Sequence, residues 1–111
     1  MRKASNRNRT AGHNFERSVV KRLIERGWDA ASSRYVSRKL DDEGVDIATD
    51  YPFMIQCKAT VSTPPMHDLL TATAANVVFW RRMEKHGERF YSTGEYAVLK
   101  LDDFLNLTNK K

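Results

Sequence analysis

The chain has 111 residues, a formal net charge of +5 and a pI of about 9.6. That length builds one domain with a modest core and excludes two, and the positive surplus favours a polyanionic partner, nucleic acid ahead of an acidic membrane. No stretch is long and apolar enough to span a bilayer, and the single cysteine, Cys57, excludes an internal disulfide, which suits a reducing, cytoplasmic setting.

Residues 1–11 carry Arg2, Lys3, Arg7 and Arg9 among Ser, Asn and Thr. Nothing here builds a core, so the segment reads as a flexible basic arm ahead of a single domain over 12–111. The arm could lie along phosphates, or be a terminus without a role. No apolar run comes after it, so it is not a secretory signal. A helix is expected over 13–26, where Phe15, Val19 and Leu23 recur every four residues with Val20 and Ile24 beside them, and Gly27 ends it. Glu16 and Arg17 fall in its first turn. An acid there suits the helix dipole; Glu16 could also point along the edge of the core toward a sheet.

A strand is expected over 28–33. Residues 34–43 are polar and charged, with Arg34, Arg38 and Lys39 followed by Asp41, Asp42 and Glu43. They read as a loop, and charged loops beside a site often carry binding; the acids could equally be a solvated face. Gly44 lets the chain turn out of this loop into the next pair of strands.

The stretch 44–60 reads as two short strands around a turn at Asp50-Tyr51-Pro52. Side chains alternate along a strand, so Gln56 and Lys58 share a face and Phe53, Ile55 and Cys57 take the other. With residues 50–52 as the loop, Asp46 falls opposite Gln56, and Asp46, Gln56 and Lys58 form one cluster. An Asp and a Gln offer oxygen ligands to a hard cation such as Mg2+. A nearby Lys can hold a water or a phosphate oxygen. Together they are the parts for metal-assisted attack of water on a phosphodiester. The alternative is a solvated edge carboxylate at Asp46 and a snorkelling Lys58. Cys57 reads as a small buried residue rather than a nucleophile.

Pro64-Pro65 break the chain, and a long helix is expected over 66–85, closing at Gly87, with Leu70, Ala74, Val77, Val78 and Trp80 on its apolar side. A strand over 96–99 and a short helix over 103–107, capped by Asp102, complete the order. His13, His67 and His86 are scattered without metal-ligand spacing and read as surface histidines.

This order resembles the PD-(D/E)XK nuclease superfamily, and within it the archaeal-type Holliday junction resolvases. The matching residues are Gly12 and Glu16-Arg17, Ser33-Arg34, Val45-Asp46-Ile47, and Ile55-Gln56-Cys57-Lys58. The resemblance implies an α/β, restriction-endonuclease-like fold, a central mixed sheet flanked by helices. It also implies a metal-dependent DNA endonuclease using Mg2+, with Mn2+ able to substitute, acting in DNA recombination and repair as a homodimer. Carried over, Asp46 is the central metal ligand, with Glu16 and Gln56 completing the metal site. Lys58 orients the attacking water, and Arg17 and Arg34 contact phosphates, with Arg38 and Lys39 of the charged loop as further DNA contacts. Two positions depart from the pattern: Gln56 stands where Glu or Asp is more frequent, and Val45 where Pro is common. Two rival functions fit the same residues, a non-catalytic nucleic-acid-binding module and a nicking or restriction-type nuclease on ordinary duplex. Apolar residues expected to be left over for a dimer partner are Val78, Phe79, Trp80, Phe90 and Tyr91.

Overall fold

Helix α1 spans Arg2–Glu25 in the computed structural model, whose described residues are 2–110, with side chains from Arg9 onward. The arm expected over 1–11 is therefore helix from Arg2; Met1 lies outside the described residues. Arg, Lys and Ala are good helix formers and no proline intervenes, so the helix propagates back from the turn that packs. That turn is the predicted stripe: Phe15, Val19 and Leu23 are all buried, while Ile24 is exposed. The helix stops at Gly27, whose φ of +94° favours glycine.

Strand β1 (Ala30–Ser32) pairs antiparallel with β2 (Ile47–Thr49), Ser32 opposite Ile47. Between them the segment expected as a loop holds two short helices, α2 (Ser33–Val36) and α3 (Arg38–Asp42). Ser37 caps α3 by accepting the Leu40 amide at 3.3 Å. Gly44 comes next at φ +82°, where a Cβ would stand 2.9 Å from that of Thr73. No larger residue fits there without displacing Thr73.

Strand β3 (Ile55–Thr60), α4 (Met66–Ala72) and β4 (Val77–His86) form a parallel β-α-β unit, and β5 (Arg89–Leu99) returns antiparallel along β4. The long helix expected over 66–85 is thus half helix and half strand. Leu70, Ala74, Val77 and Val78 mimic a helical period, but Val-Val-Phe-Trp is a strong strand-forming run, and pairing with β3 and β5 decides it. The strand expected over 96–99 is the end of an eleven-residue β5. Helix α5 spans Leu101–Asn106 with Lys100 at its N-cap; Asp102 lies inside its first turn and does not cap it.

The result is a mixed α/β fold with a three-stranded mixed sheet, a separate two-stranded sheet and flanking helices. The expected hairpin between β2 and β3 is not a ladder; the two strands belong to different sheets. Phe15, Val19 and Leu23 of α1 lie on Ile47, Ile55, Cys57 and Val77, so the core bridges both sheets.

Candidate functional site

The two sheets meet at Asp46. Its backbone N–H donates to the Ile55 carbonyl at 2.8 Å, and its carboxylate Oδ2 accepts the Cys57 N–H at 2.7 Å. A side chain thus takes the place of a ladder bond, and Asp46 is pinned alongside residues 55–57, as its predicted position opposite Gln56 requires. Ser33 fixes Asp46 from the other side. Its buried backbone N–H donates to the Asp46 carbonyl at 2.8 Å, and its hydroxyl donates to the Val45 carbonyl. These bonds contribute about 1 kcal/mol each; those of Ser33 fix the backbone, and that of the Cys57 amide fixes one carboxylate oxygen.

Glu16 reaches the same place from α1. Its Oε1 accepts the Ser32 hydroxyl and the Arg34 guanidinium, each at 3.0 Å, with both charged side chains largely buried. Arg34 also lies over the Tyr35 ring at 4.7 Å. It holds Glu16 in this arrangement, in addition to the phosphate contact that the resemblance implies for it. Burial raises the Glu16 pKa, while the bond from Ser32 and the charge of Arg34 pull it down and Asp41 pushes it up. Burial likewise carries Asp46 up to about 6; the Cys57 amide opposes this, Glu16 adds to it, Lys58 opposes it, and Asp41 adds to it. Asp46, Glu16, Asp41 and Lys58 thus share one electrostatic neighbourhood. Asp42 instead forms an exposed pair with Arg38 at 3.8 Å.

Strand β3 supplies the rest. Ile55 and Cys57 face α1 in the core, so Gln56 and Lys58 take the opposite face, as alternation predicts. Lys58 is half-buried. Gln56 is buried, and its Oε1 has no hydrogen-bond partner. An orphaned buried carbonyl costs about 1–3 kcal/mol, which a cation at that oxygen would offset. Cys57 is buried as expected, and burial followed by the charges of Asp46 and Glu16 pushes its thiol well above the usual range. It is no nucleophile.

Among the described residues no three His, Cys, Asp or Glu side chains gather to hold a metal ion. The donor set that the resemblance implies is mixed, the carboxylates of Asp46 and Glu16, which feel each other's charge, and the amide oxygen of Gln56, which is buried on β3. Of the remaining predicted residues, Arg17 is exposed on α1, and Arg38 and Lys39 are exposed on α3. His13, read from sequence as a surface residue, is half-buried and feels Arg34, Arg17, Arg9 and Asp46. Burial first, then the three arginines, lower its pKa. Its place on the Glu16 flank of α1, one turn before Arg17, was the available signal. Ser33 belongs to the matching Ser33-Arg34 pair and Ser32 precedes it, but the bonds they make to Asp46, Val45 and Glu16 have no signal in the sequence.

No protein-family model, curated protein or solved structure matches this chain. Among the described residues no helix is long and apolar enough to cross a membrane.

Proposed function

We propose that the chain is a metal-dependent DNA endonuclease with a restriction-endonuclease-like fold, of the PD-(D/E)XK type and similar to the Holliday junction resolvases. The observation that carries this reading is the junction at Asp46. A buried carboxylate beside a second acid, Glu16, adjoins a strand whose Gln56 buries an unpartnered oxygen and whose Lys58 is the neighbouring cation. Like charges crowded out of water are unfavourable without a counterion, and a domain of this size has little stability to lose. Such an arrangement is expected where a cation binds.

Asp46, Glu16 and the Gln56 carbonyl would hold Mg2+ or Mn2+, both of which favour oxygen donors. Bound there, the ion would supply Lewis-acid activation of a water and charge neutralisation on a phosphoryl oxygen. The chain's own residues do the positioning. Ser33 holds the backbone at Asp46, the Cys57 amide holds its carboxylate, and Ser32 with Arg34 hold Glu16. Lys58 offers an ammonium to the attacking water or to a non-bridging phosphate oxygen. Arg17, Arg38 and Lys39, all exposed, are the cations available to the DNA backbone.

A homodimer belongs to this reading, since two related strands of a branched substrate call for two sites about one axis. The apolar residues expected at such an interface are mostly spent. Val78 is buried, Phe79 packs on the core, and the Trp80 indole donates to Thr60 Oγ1 at 2.9 Å. Helix α5 exposes Leu101, Phe104, Leu105 and Leu107 instead, and is the better candidate surface. Labelled four-way junction, flap and linear duplex, incubated with Mg2+ or with chelator, test the proposal. Paired nicks in the junction with Mg2+ are expected; a protein that binds DNA and never cuts it would favour the non-catalytic binding module.

A further inference from the structure

Strands β4 and β5 leave the sheet as a ribbon. β3 ends at Thr60, in register with Arg82. Beyond the irregularity between Arg82 and Met83 the two strands pair only with each other, out to His86 opposite Arg89. A two-stranded ribbon is marginal in water by itself. Beyond its ladder, this one is held by surface contacts: the Arg82 guanidinium donating to Thr93 Oγ1 at 2.9 Å, the Lys85 ammonium 5.9 Å from the Phe90 ring centre, and the His86 and Tyr91 rings 5.7 Å apart. Such contacts contribute little to folding, so the outer ribbon is not explained by the core.

Its composition points to a partner. Residues 81–91 carry Arg81, Arg82, Lys85 and Arg89 against Glu84 and Glu88. Between the ribbon and α1 lies a cleft of about 630 Å³, lined in part by Asn14, Arg81, Arg89, Phe90 and Tyr91, with one acid, Glu88, among them. It is distinct from the Asp46 site, because Asn14 and Glu16 are two positions apart on α1 and face nearly opposite ways. Arg81 is held by Glu95 at 2.8 Å and lies over the Phe15 ring at 4.8 Å. Arg89 is exposed, as is Tyr91 at 47 %.

Two arginines against one acid, Glu88, with two aromatic planes and a side-chain amide in one concave surface, match a ligand that is anionic along its backbone and planar in its side groups, Arg89 being the arginine not held by Glu95. An acidic peptide would meet the cations and leave the rings without planar partners. Duplex DNA would meet the cations and keep its base faces inside the stack. We infer that this cleft binds an unpaired nucleic-acid strand, with phosphate on Arg89 and bases against Phe90 and Tyr91. The inference goes beyond the metal-site reading and stands without it, since the cleft uses neither Asp46 nor a cation.

Fluorescence anisotropy of the full chain in chelator, with labelled oligothymidylate and with a blunt hairpin duplex, tests it. The single strand should bind more tightly than the duplex. Tyr91→Ala should weaken single-strand binding by about 5- to 100-fold, and Tyr91→Phe should keep it. Arg89→Ala should reduce the slope of log affinity against log salt by about 0.7. Working in chelator separates this site from any failure of the nuclease proposal, which needs a metal ion. Circular dichroism confirms that each variant is folded; if Tyr91→Ala is not, the Arg89→Ala salt slope decides. Equal single-strand binding by wild type and folded Tyr91→Ala, an unchanged Arg89→Ala slope, or binding of the duplex alone would overturn the inference.

Discussion

Replacing Asp46 by asparagine is expected to stabilise the protein at neutral pH, against the usual cost of altering a buried residue. Burial carries the Asp46 carboxyl from its ordinary 3.8 up to about 6. A raised acid pKa means that the protonated side chain is the one the fold favours. Its contribution is fully present below about pH 3.8 and is lost as pH rises through about 6. The shift of about 2 units corresponds to roughly 3 kcal/mol once the group is ionised. Asparagine keeps an oxygen for the Cys57 N–H, removes the buried charge and places a donor near Glu16. In urea melts without metal, Asp46→Asn should match wild type near pH 4 and exceed it by about 2–3 kcal/mol at pH 7. For a chain of this size that is roughly 8–15 °C in melting temperature. Taking the difference between the two proteins isolates Asp46 from the other titrating groups. A difference that stays flat with pH, or an asparagine variant less stable at pH 7, would refute the reasoning.

The same geometry sets three further outcomes. Lys58→Ala should slow cleavage by roughly two orders of magnitude or more with an unchanged melting temperature; wild-type turnover would make Lys58 a strand-end charge only. Gln56→Glu should lower stability without metal, because it adds a buried charge, and should raise Mg2+ affinity by calorimetry; a folded variant that neither binds metal more tightly nor cuts would give Gln56 another role. Arg34→Ala leaves Glu16 with the Ser32 hydroxyl alone and should destabilise by about 1–3 kcal/mol, read in urea melts, while Arg38→Ala, whose partner is exposed, should not.

The first helix was legible because Phe15, Val19 and Leu23 declare a face without reference to anything distant. Asp46 does lie alongside residues 55–57, but through its own bonds to Ile55 and Cys57 and not through the hairpin ladder that the sequence suggests. What the sequence hid is decided at long range. Val77 and Val78 continue the spacing of Leu70 and Ala74, and only β3 and β5, supplied by other parts of the chain, make them strand. The bond from Arg34 to Glu16, eighteen positions earlier, has no local signal. Ser33 works through its backbone and a carbonyl twelve residues away, a role no side-chain motif announces. The two helices of 33–42 did leave a local trace in the Ser37 cap, three residues before Leu40.

The central claim is that Asp46, Glu16 and Gln56 hold a divalent cation with which the protein cuts DNA. Incubating labelled four-way junction with wild type and with Asp46→Asn, each in Mg2+ and in chelator, tests it most directly. Cutting by wild type in Mg2+ alone, with the asparagine variant folded, still binding DNA and inactive, is the predicted result. Cutting that persists in chelator, or in the asparagine variant, would contradict it.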